Sequence, residues 1–136
     1  MIDLTADELK PRLVLHLDPA VLEDEGGQFF PPDERRVEGD HFFLCVALED
    51  DHSYWVPLSS KAQPGRVRIA GTQKSGQPSW TRQDTYAVAT SYCRASFSVV
   101  VAGATSALDQ TRKGERNMVS DEALKQVEYA LRLAPY

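Results

Sequence analysis

Apolar residues recur along the chain in short runs separated by polar turns, a pattern typical of β-strands. The clearest run, residues 41–48, is apolar almost throughout, so both faces of this strand are predicted to be covered. A polar turn at 49–52 and a second run at 53–58 predict a hairpin. Further short strands are predicted within residues 12–17, 65–69, 84–90 and 97–101.

The end of the chain has a different pattern. Small and aliphatic residues recur there every three or four positions, which predicts an amphipathic helix over about residues 120–134. Ser120 is suited to cap its first turn and Pro135 to end it. Residues 18–40 are rich in acids, Gly and Pro and predict a long loop, whereas residues 103–119 predict a polar linker.

These elements define a fold class. With 136 residues, the chain has the length of one domain, which we predict to span residues 1–136. The class is mainly β within α+β: a small curled antiparallel sheet or SH3-like barrel of about six short strands, with a C-terminal amphipathic helix.

Composition and residue placement bear on the cellular location of the protein and on its use of metals or cofactors. The first residues are acidic and no apolar run approaches the ~20 residues of a membrane-spanning helix, so we predict a cytoplasmic protein without a secretory signal. Cys45 and Cys93 lie inside strand patterns and are predicted to be reduced core thiols. His16, His41 and His52 are scattered and give no metal-ligand spacing, so neither a metal nor a cofactor is predicted.

Charge is unevenly spread along the chain. The net charge is −5, but residues 1–60 carry 4 basic and 14 acidic side chains, whereas residues 61–136 carry 11 basic and 6 acidic ones. Such asymmetry is a reason to consider a polyanionic partner. The alternative is that the charges mix and cancel on the folded surface.

The hairpin also resembles a known family. The apolar strand at 41–48 is followed by a strand ending in VPLSSK at 56–61, and this order is similar to the central hairpin of MazF/PemK-like (Kid/CcdB-fold) toxins of toxin–antitoxin systems. Residues 119–127 are similar to the last helix of that family. The Pro-x-Ser-Ser-Lys element also resembles the type III ToxN-like toxins, which share the barrel. The matching pieces cover about half of the chain, mainly residues 39–69 and 115–134.

The resemblance implies a toxin-like growth inhibitor. Such a protein is a metal-independent endoribonuclease that cleaves single-stranded RNA, often as a homodimer, and is neutralised by an antitoxin protein or RNA. The family usually carries a Gly-rich loop with an arginine directly before the hairpin, and here Arg35 and Arg36 in an acidic segment are the nearest candidates. The later Asp-Gln-x-Arg motif of the family has no clear counterpart.

Metal-independent RNA cleavage needs a base near the 2′-hydroxyl, an acid near the leaving 5′-oxygen and donors for the phosphorane charge. Arg36 is predicted to stabilise that charge, because its planar fork matches phosphate oxygens. Ser59 and Ser60 are predicted to hydrogen-bond a phosphate. His41 is predicted to act as base or acid, with His52 as an alternative. RNA binding is predicted for Lys61, Arg66, Arg68, Trp80, Arg82 and Arg94, a basic surface with an aromatic platform.

Several of these residues also have a purely structural interpretation. The two serines could simply form a turn, the arginines could pair with neighbouring acids, and Trp80 could belong to the core. The alternative function is a non-catalytic barrel module that binds a protein or nucleic-acid partner without cleaving it. A serine hydrolase is disfavoured because the chain has no Gly-x-Ser-x-Gly sequence.

Overall fold

A computed structural model describes residues 2–32 and 41–133. These residues form an antiparallel sheet with helices on both faces, in an α+β fold. The strands are β1 (Leu13–Leu17), β2 (Gln28–Phe30), β3 (His41–Glu49), β4 (His52–Ser59), β5 (Val67–Ile69), β6 (Lys74–Ser75), β7 (Thr85–Ala87), β8 (Tyr92–Ser96) and β9 (Asn117–Val119). The helices are α1 (Pro19–Asp24), α2 (Pro78–Thr81), α3 (Phe97–Ser106) and α4 (Asp121–Arg132). Short 3₁₀ turns lie at Ala6–Glu8 and Gly71–Gln73.

The sheet is open. Its strands follow the order β2-β8-β4-β3-β1-β9-β6, and β7 joins β4 to β5 beside this path. The predicted class, an antiparallel sheet with a C-terminal helix, is confirmed. The described residues contain nine strands rather than about six, and β2 and β6 do not pair to close the sheet into a barrel.

The predicted central hairpin is confirmed as β3 and β4, with Leu44 opposite Val56. Pro57 lies where β4 changes partners: β4 pairs with β8 up to Trp55 and with β7 from Leu58 onward. A proline has no N–H to donate to a ladder, so it fits this interruption. Its carbonyl accepts a hydrogen bond from Val88 N at 2.9 Å.

The sheet buries both of its faces. One face packs with α1, α3 and the N-terminal segment, and the other packs with α2 and α4. Phe43 and Cys45 point into the first core and Leu44 into the second, which confirms that the strand at 41–48 is covered on both sides. Both cysteines are free and buried, and burial raises the pKa of Cys45 to about 12.

The strand predicted at 97–101 is wrong, because these residues begin helix α3. Val99, Val100, Gly103 and Ala104 are buried at helical spacing against β1 and α1. A Cβ on Gly103 would lie 2.7 Å from Leu22 Cδ2, so the missing side chain allows the close packing of α3 on α1.

Two predicted irregular segments also contain regular structure. The predicted linker at 103–119 holds the end of α3 and all of β9. The predicted loop at 18–40 holds α1, which Asp18 caps by accepting from Ala20 N, and then β2. Residues 33–40 lie outside the described residues. No helix in the described ranges combines the length and apolar character needed to cross a membrane.

Arg116 ties the start of the chain to residues 109–117. Its buried guanidinium bonds Asp3 at 2.7 Å, Glu8 at 3.1 Å and the carbonyl of Thr111 at 2.5 Å. The hydrogen bond from Arg116 lowers the pKa of Asp3. This network ties the N-terminal segment to Thr111, which lines the larger of the two cavities described below.

The C-terminal helix agrees with its prediction. Helix α4 begins after Ser120, whose Oγ accepts a hydrogen bond from Ala123 N at 3.1 Å. Acidic residues occupy its first turn and Arg132 its last turn, where the helix dipole favours them. Ala123, Leu124 and Val127 are buried in the second core.

Candidate functional site

Two adjoining cavities open beside α2, between the β1–β3 pair and the end of β4. The smaller one, about 200 Å³, we call the serine pocket; the larger one, about 570 Å³, we call the adjoining cavity. They share His16, Phe42 and Ser79 as a common wall. The rest of the serine pocket is lined by His41, Leu58, Ser59, Ser60, Trp80, Gln83 and Thr85. The rest of the adjoining cavity is lined by Gln77, Pro78, Leu108, Asp109, Gln110, Thr111 and Asn117.

Three aromatic rings form the common wall and its support. His16 on β1 lies opposite Phe42 on β3, and their rings stack with centroids 4.9 Å apart. Phe42 in turn lies 5.1 Å from the Trp80 ring at a tilt of 60°. Each ring is therefore held by the next one, which keeps the imidazole of His16 at the junction of the two cavities.

His16 was not singled out by the sequence predictions. Its backbone N–H donates to Asp109 Oδ2 at 2.8 Å. The other oxygen of Asp109 accepts from the backbone N (2.8 Å) and the hydroxyl (2.6 Å) of Thr111. The signal in the sequence is a single polar residue within the otherwise apolar run 13–17.

Ser59 lies at the end of β4 on the rim of the serine pocket. Its Oγ accepts hydrogen bonds from Lys61 N at 3.2 Å and Arg66 Nη1 at 3.1 Å. Arg66 also donates to the Lys61 carbonyl at 2.8 Å. The hydroxyl accepts in both of these contacts, so its own proton is used in neither of them.

The predicted catalytic residues are partly brought together. His41, Ser59 and Ser60 line the same pocket. Arg36, with its neighbour Arg35, lies outside the described residues. His52 is excluded from the pocket, because it begins β4 while Ser59 ends it, about 23 Å along the strand. The His52 ring instead contacts Asp51 at 2.8 Å.

The predicted RNA-binding residues fall into separate places. Lys61 and Arg66 stand at the rim of the pocket beside Ser59. Arg82 is exposed and follows α2. Arg68 is engaged with Asp84, with Nη2 2.8 Å and Nε 2.9 Å from Oδ2.

Trp80 does not serve the predicted surface as expected, and Arg94 lies away from the pocket. Trp80 is only 1% exposed and donates through Nε1 to the Met118 carbonyl at 3.2 Å, so the predicted open stacking platform is wrong. The Trp80 side chain belongs to the core and forms part of the pocket wall. Arg94 lies on β8, contacts Gln28 and Glu49, and does not line the pocket.

Lys74 lies behind the pocket wall. Its Nζ donates to the carbonyls of Trp80 (3.0 Å) and Gln83 (2.6 Å) and sits 3.9 Å from the centre of a Trp80 ring. Burial lowers the pKa of Lys74 to about 8, against the opposing attraction of Asp84. These bonds hold both ends of the segment 80–83 that follows the start of α2.

Lys74 should therefore titrate apart from the other lysines. In NMR spectra of protein with labelled lysine side chains, we expect one ε-methylene signal to titrate near pH 8 and to be absent in Lys74→Arg. Because the unfolded chain keeps this proton up to about pH 10.5, the stability of the wild type relative to Lys74→Met should rise as pH increases from about 8. A midpoint above pH 10 would contradict this environment.

The lining of the serine pocket favours an anion. Among the described residues that line it, none is acidic, although the chain has 20 Asp and Glu residues. Asp84, which lies between Gln83 and Thr85 in sequence, is bonded to Arg68 and to Gly71 N instead. The hydrogen bond from Arg68 lowers the pKa of Asp84. The described polar residues that line the pocket carry hydroxyl, imidazole and amide side chains.

Ser79, Gln83 and Thr85 complete the residues that sequence reasoning missed. Ser79 lies on α2, Gln83 in the segment that follows it, and Thr85 at the start of β7. The pairing of β7 with β4 brings this region to the end of β4. No spacing in the sequence marks them. No group of three or more His, Cys, Asp or Glu side chains in residues 2–32 and 41–133 is arranged to hold a metal ion.

Comparison with known proteins adds no further evidence. No family model matches the chain, and no curated protein matches it.

Proposed function

We propose that this protein is an endoribonuclease of the toxin type, which cleaves single-stranded RNA in the serine pocket. The observation that carries the proposal is the meeting of two histidines, His16 and His41, with Ser59 and Ser60 in one pocket. Two imidazoles can divide the roles of base and acid near neutral pH, and the hydroxyls can bind the phosphate between them.

The reaction is a transesterification within the RNA. One histidine takes the proton of the 2′-hydroxyl as the 2′-oxygen forms a bond to phosphorus, and the bond from phosphorus to the 5′-oxygen breaks. The other histidine donates a proton to that leaving oxygen. The products are a 2′,3′-cyclic phosphate and a 5′-hydroxyl end.

Charge that develops on the phosphorane needs donors. Ser59 is suited to this task because its Oγ accepts from Arg66 and Lys61 N, which leaves its proton for a phosphate oxygen. We assign the remaining stabilisation to Arg36, which precedes β3 by a few residues in sequence.

The adjoining cavity is consistent with a polymeric substrate, because it offers space for a second nucleotide. Its volume of about 570 Å³ is in the range of pockets that hold small-molecule ligands, and it shares His16, Phe42 and Ser79 with the serine pocket. A nucleotide next to the cleaved bond would occupy it.

The proposal includes the biological setting that the MazF/PemK resemblance implies. The protein would act on cellular RNA in the cytoplasm, as a homodimer, until an antitoxin protein or RNA neutralises it. Expression without the antitoxin would then arrest growth.

The test is cleavage of a long single-stranded RNA by the purified protein in EDTA. We expect fragments with 2′,3′-cyclic phosphate ends, and we expect Ser59→Ala to lower the rate at least about tenfold because one donor to a charged group is lost. Ser98→Ala, which removes an exposed hydroxyl on α3, is the matched control and should leave the rate unchanged.

Intact RNA with folded wild-type protein would reject the endoribonuclease. Retained binding to that RNA would instead favour the non-catalytic module. Equal loss of activity in the Ser59 and Ser98 variants would show that the cleavage does not arise in the serine pocket.

A further inference from the structure

Helix α3 ends on a leucine in the left-handed conformation. Leu108 follows the C-cap of α3 and has a φ of +56°. Its N–H donates to the Thr105 carbonyl at 3.1 Å, and the N–H of Asp109 donates to the Ala104 carbonyl at 3.0 Å, which together form a Schellman motif. This position usually holds glycine, because a side chain is strained there. Leucine therefore makes the end of α3 less stable than glycine would.

The fold gains little burial from this leucine. Leu108 is 74% exposed, more than any other large hydrophobic side chain in the described ranges. An exposed leucine alone is common on protein surfaces and indicates nothing. Here, however, the exposure coincides with a backbone conformation that disfavours the side chain, and such outliers cluster at ligand-binding sites. The combination indicates that Leu108 serves a ligand rather than the fold.

The adjoining cavity is the space that such a ligand would occupy, because Leu108 lines it. Its aromatic wall is the end of a row of three rings, in which Trp80 contacts Phe42 and Phe42 stacks on His16. Within residues 2–32 and 41–133, no further ring continues the row beyond His16, which also lines the cavity. A planar ring in the cavity would extend this row next to an apolar side chain.

The polar groups of the adjoining cavity favour an uncharged ligand. Apart from the imidazole of His16, Asp109 is the only charged side chain in the described lining, and its carboxylate repels a phosphate. Three carboxamide side chains also line the cavity, those of Gln77, Gln110 and Asn117. Carboxamides both donate and accept hydrogen bonds, as the edges of nucleobases do. The lining therefore suits a nucleobase, whereas the serine pocket, with no acidic residue in its described lining, suits the phosphate.

We propose that the adjoining cavity is a nucleobase-binding site in which the side chain of Leu108 packs against the face of the base. The assignment of this base to the nucleotide next to the cleaved bond of RNA rests on the proposed function, whereas binding of a nucleoside does not. Leu108 is then a substrate-binding residue. The strain at the end of α3 accompanies the display of an apolar side chain at the cavity.

The first experiment is a titration of the full chain with each of the four ribonucleosides, followed by amide NMR. At least one nucleoside should cause saturable shifts at Leu108, Asp109 and Gln110, and ribose 5-phosphate, which has no base, should not cause them. Leu108→Gly should weaken nucleoside binding about tenfold, because an apolar contact is lost. Leu108→Met keeps a long apolar side chain and should bind within about threefold of the wild type.

Leu133→Gly is the matched control. Leu133 is 68% exposed at the C-cap of α4, has a φ of −85° and lines neither cavity. The same substitution there should leave nucleoside binding unchanged.

Thermal unfolding separates binding from folding. Because glycine adopts the conformation of residue 108 without strain, the Tm of ligand-free Leu108→Gly should equal or exceed that of the wild type. Leu133→Gly relieves no strain and makes the unfolded chain more flexible, so it should not raise the Tm. Weaker nucleoside binding by a Leu108→Gly protein that is at least as stable as the wild type supports the site. A lower Tm for Leu108→Gly would show that the leucine serves the fold and would overturn the proposal.

Two further outcomes would overturn it: no saturable binding of any ribonucleoside by the wild type, or equal binding by the wild type and Leu108→Gly. In the RNA-cleavage assay, Leu108→Gly should raise KM more than it lowers kcat, because the lost contact is the same in the ground state and the transition state. RNA cleavage by a protein that binds no nucleoside would reject this site and leave the endoribonuclease standing. Nucleoside binding that depends on Leu108 without RNA cleavage would support the site and reject the endoribonuclease.

Discussion

Replacing His16 with alanine is expected to lower kcat for RNA cleavage by about 10²–10⁴-fold, the usual contribution of a positioned acid or base. The imidazole is held against Phe42 at the junction of the two cavities, where both the phosphate and a neighbouring nucleotide would meet it. His41→Ala should cause a loss of similar size. KM should change less than kcat, because in the proposed mechanism the histidines move protons in the transition state.

The pH dependence provides a readout that a structural role would not affect. If one histidine acts as base and the other as acid, the wild-type rate should follow a bell-shaped curve against pH. The residual activity of His16→Ala should lack one limb of that curve, and the activity of His41→Ala should lack the other.

His52→Ala is the matched control. This histidine lies at the opposite end of β4, beside Asp51, so its removal should leave kcat within about twofold of the wild type. The two-histidine mechanism is rejected if His16→Ala retains the full bell-shaped profile. It is also rejected if His52→Ala loses as much activity as the pocket variants.

Trp80→Ala is expected to lower the free energy of unfolding by about 3–5 kcal/mol, as for other buried aromatic side chains. The side chain is 1% exposed, donates to the Met118 carbonyl, and is covered by Lys74 Nζ. Its loss leaves a cavity between the end of β4 and α2. Urea denaturation followed by circular dichroism measures the change.

Two other substitutions calibrate that measurement. Trp80→Phe keeps most of the packing and should cost less than Trp80→Ala, since its main losses are one hydrogen bond and part of the ring. Tyr129→Ala removes a side chain that is 63% exposed and should change stability by no more than about 0.5 kcal/mol. If Trp80→Ala kept wild-type stability but lost RNA affinity, Trp80 would be an exposed base-stacking residue and not a core residue, contrary to the structure.

The hairpin and the last helix could be predicted because their signals are local. An apolar run, a polar turn and a second run define β3 and β4 without reference to the rest of the chain. In α4, the cap at Ser120, the acids of the first turn and the apolar stripe act within one element. Ser59 and Ser60 were singled out by the resemblance of this hairpin to the toxin family, and His41 by the acid–base chemistry of histidine.

Helix α3 shows where local signals mislead. Its first residues, FSVVV, are aromatic and β-branched and favour a strand by themselves. The small residues at 102–104 allow the segment to pack as a helix on β1 and α1, and Gly103 receives Leu22. Burial against those elements outweighs the weaker preference of the backbone.

The sequence by itself determined the α+β class, the β3–β4 hairpin and the C-terminal helix, because each depends on neighbours along the chain. It also named His41, Ser59 and Ser60 as candidates, which the tertiary structure brings to one pocket with Trp80. Only the tertiary structure decided that His16 joins them, since its place depends on the pairing of β1 with β3 and on Asp109. It also decided that the Trp80 side chain is buried and forms a wall of the pocket. Contacts between distant segments determine which polar side chains are buried and which remain unsatisfied, and a local pattern carries no information about them.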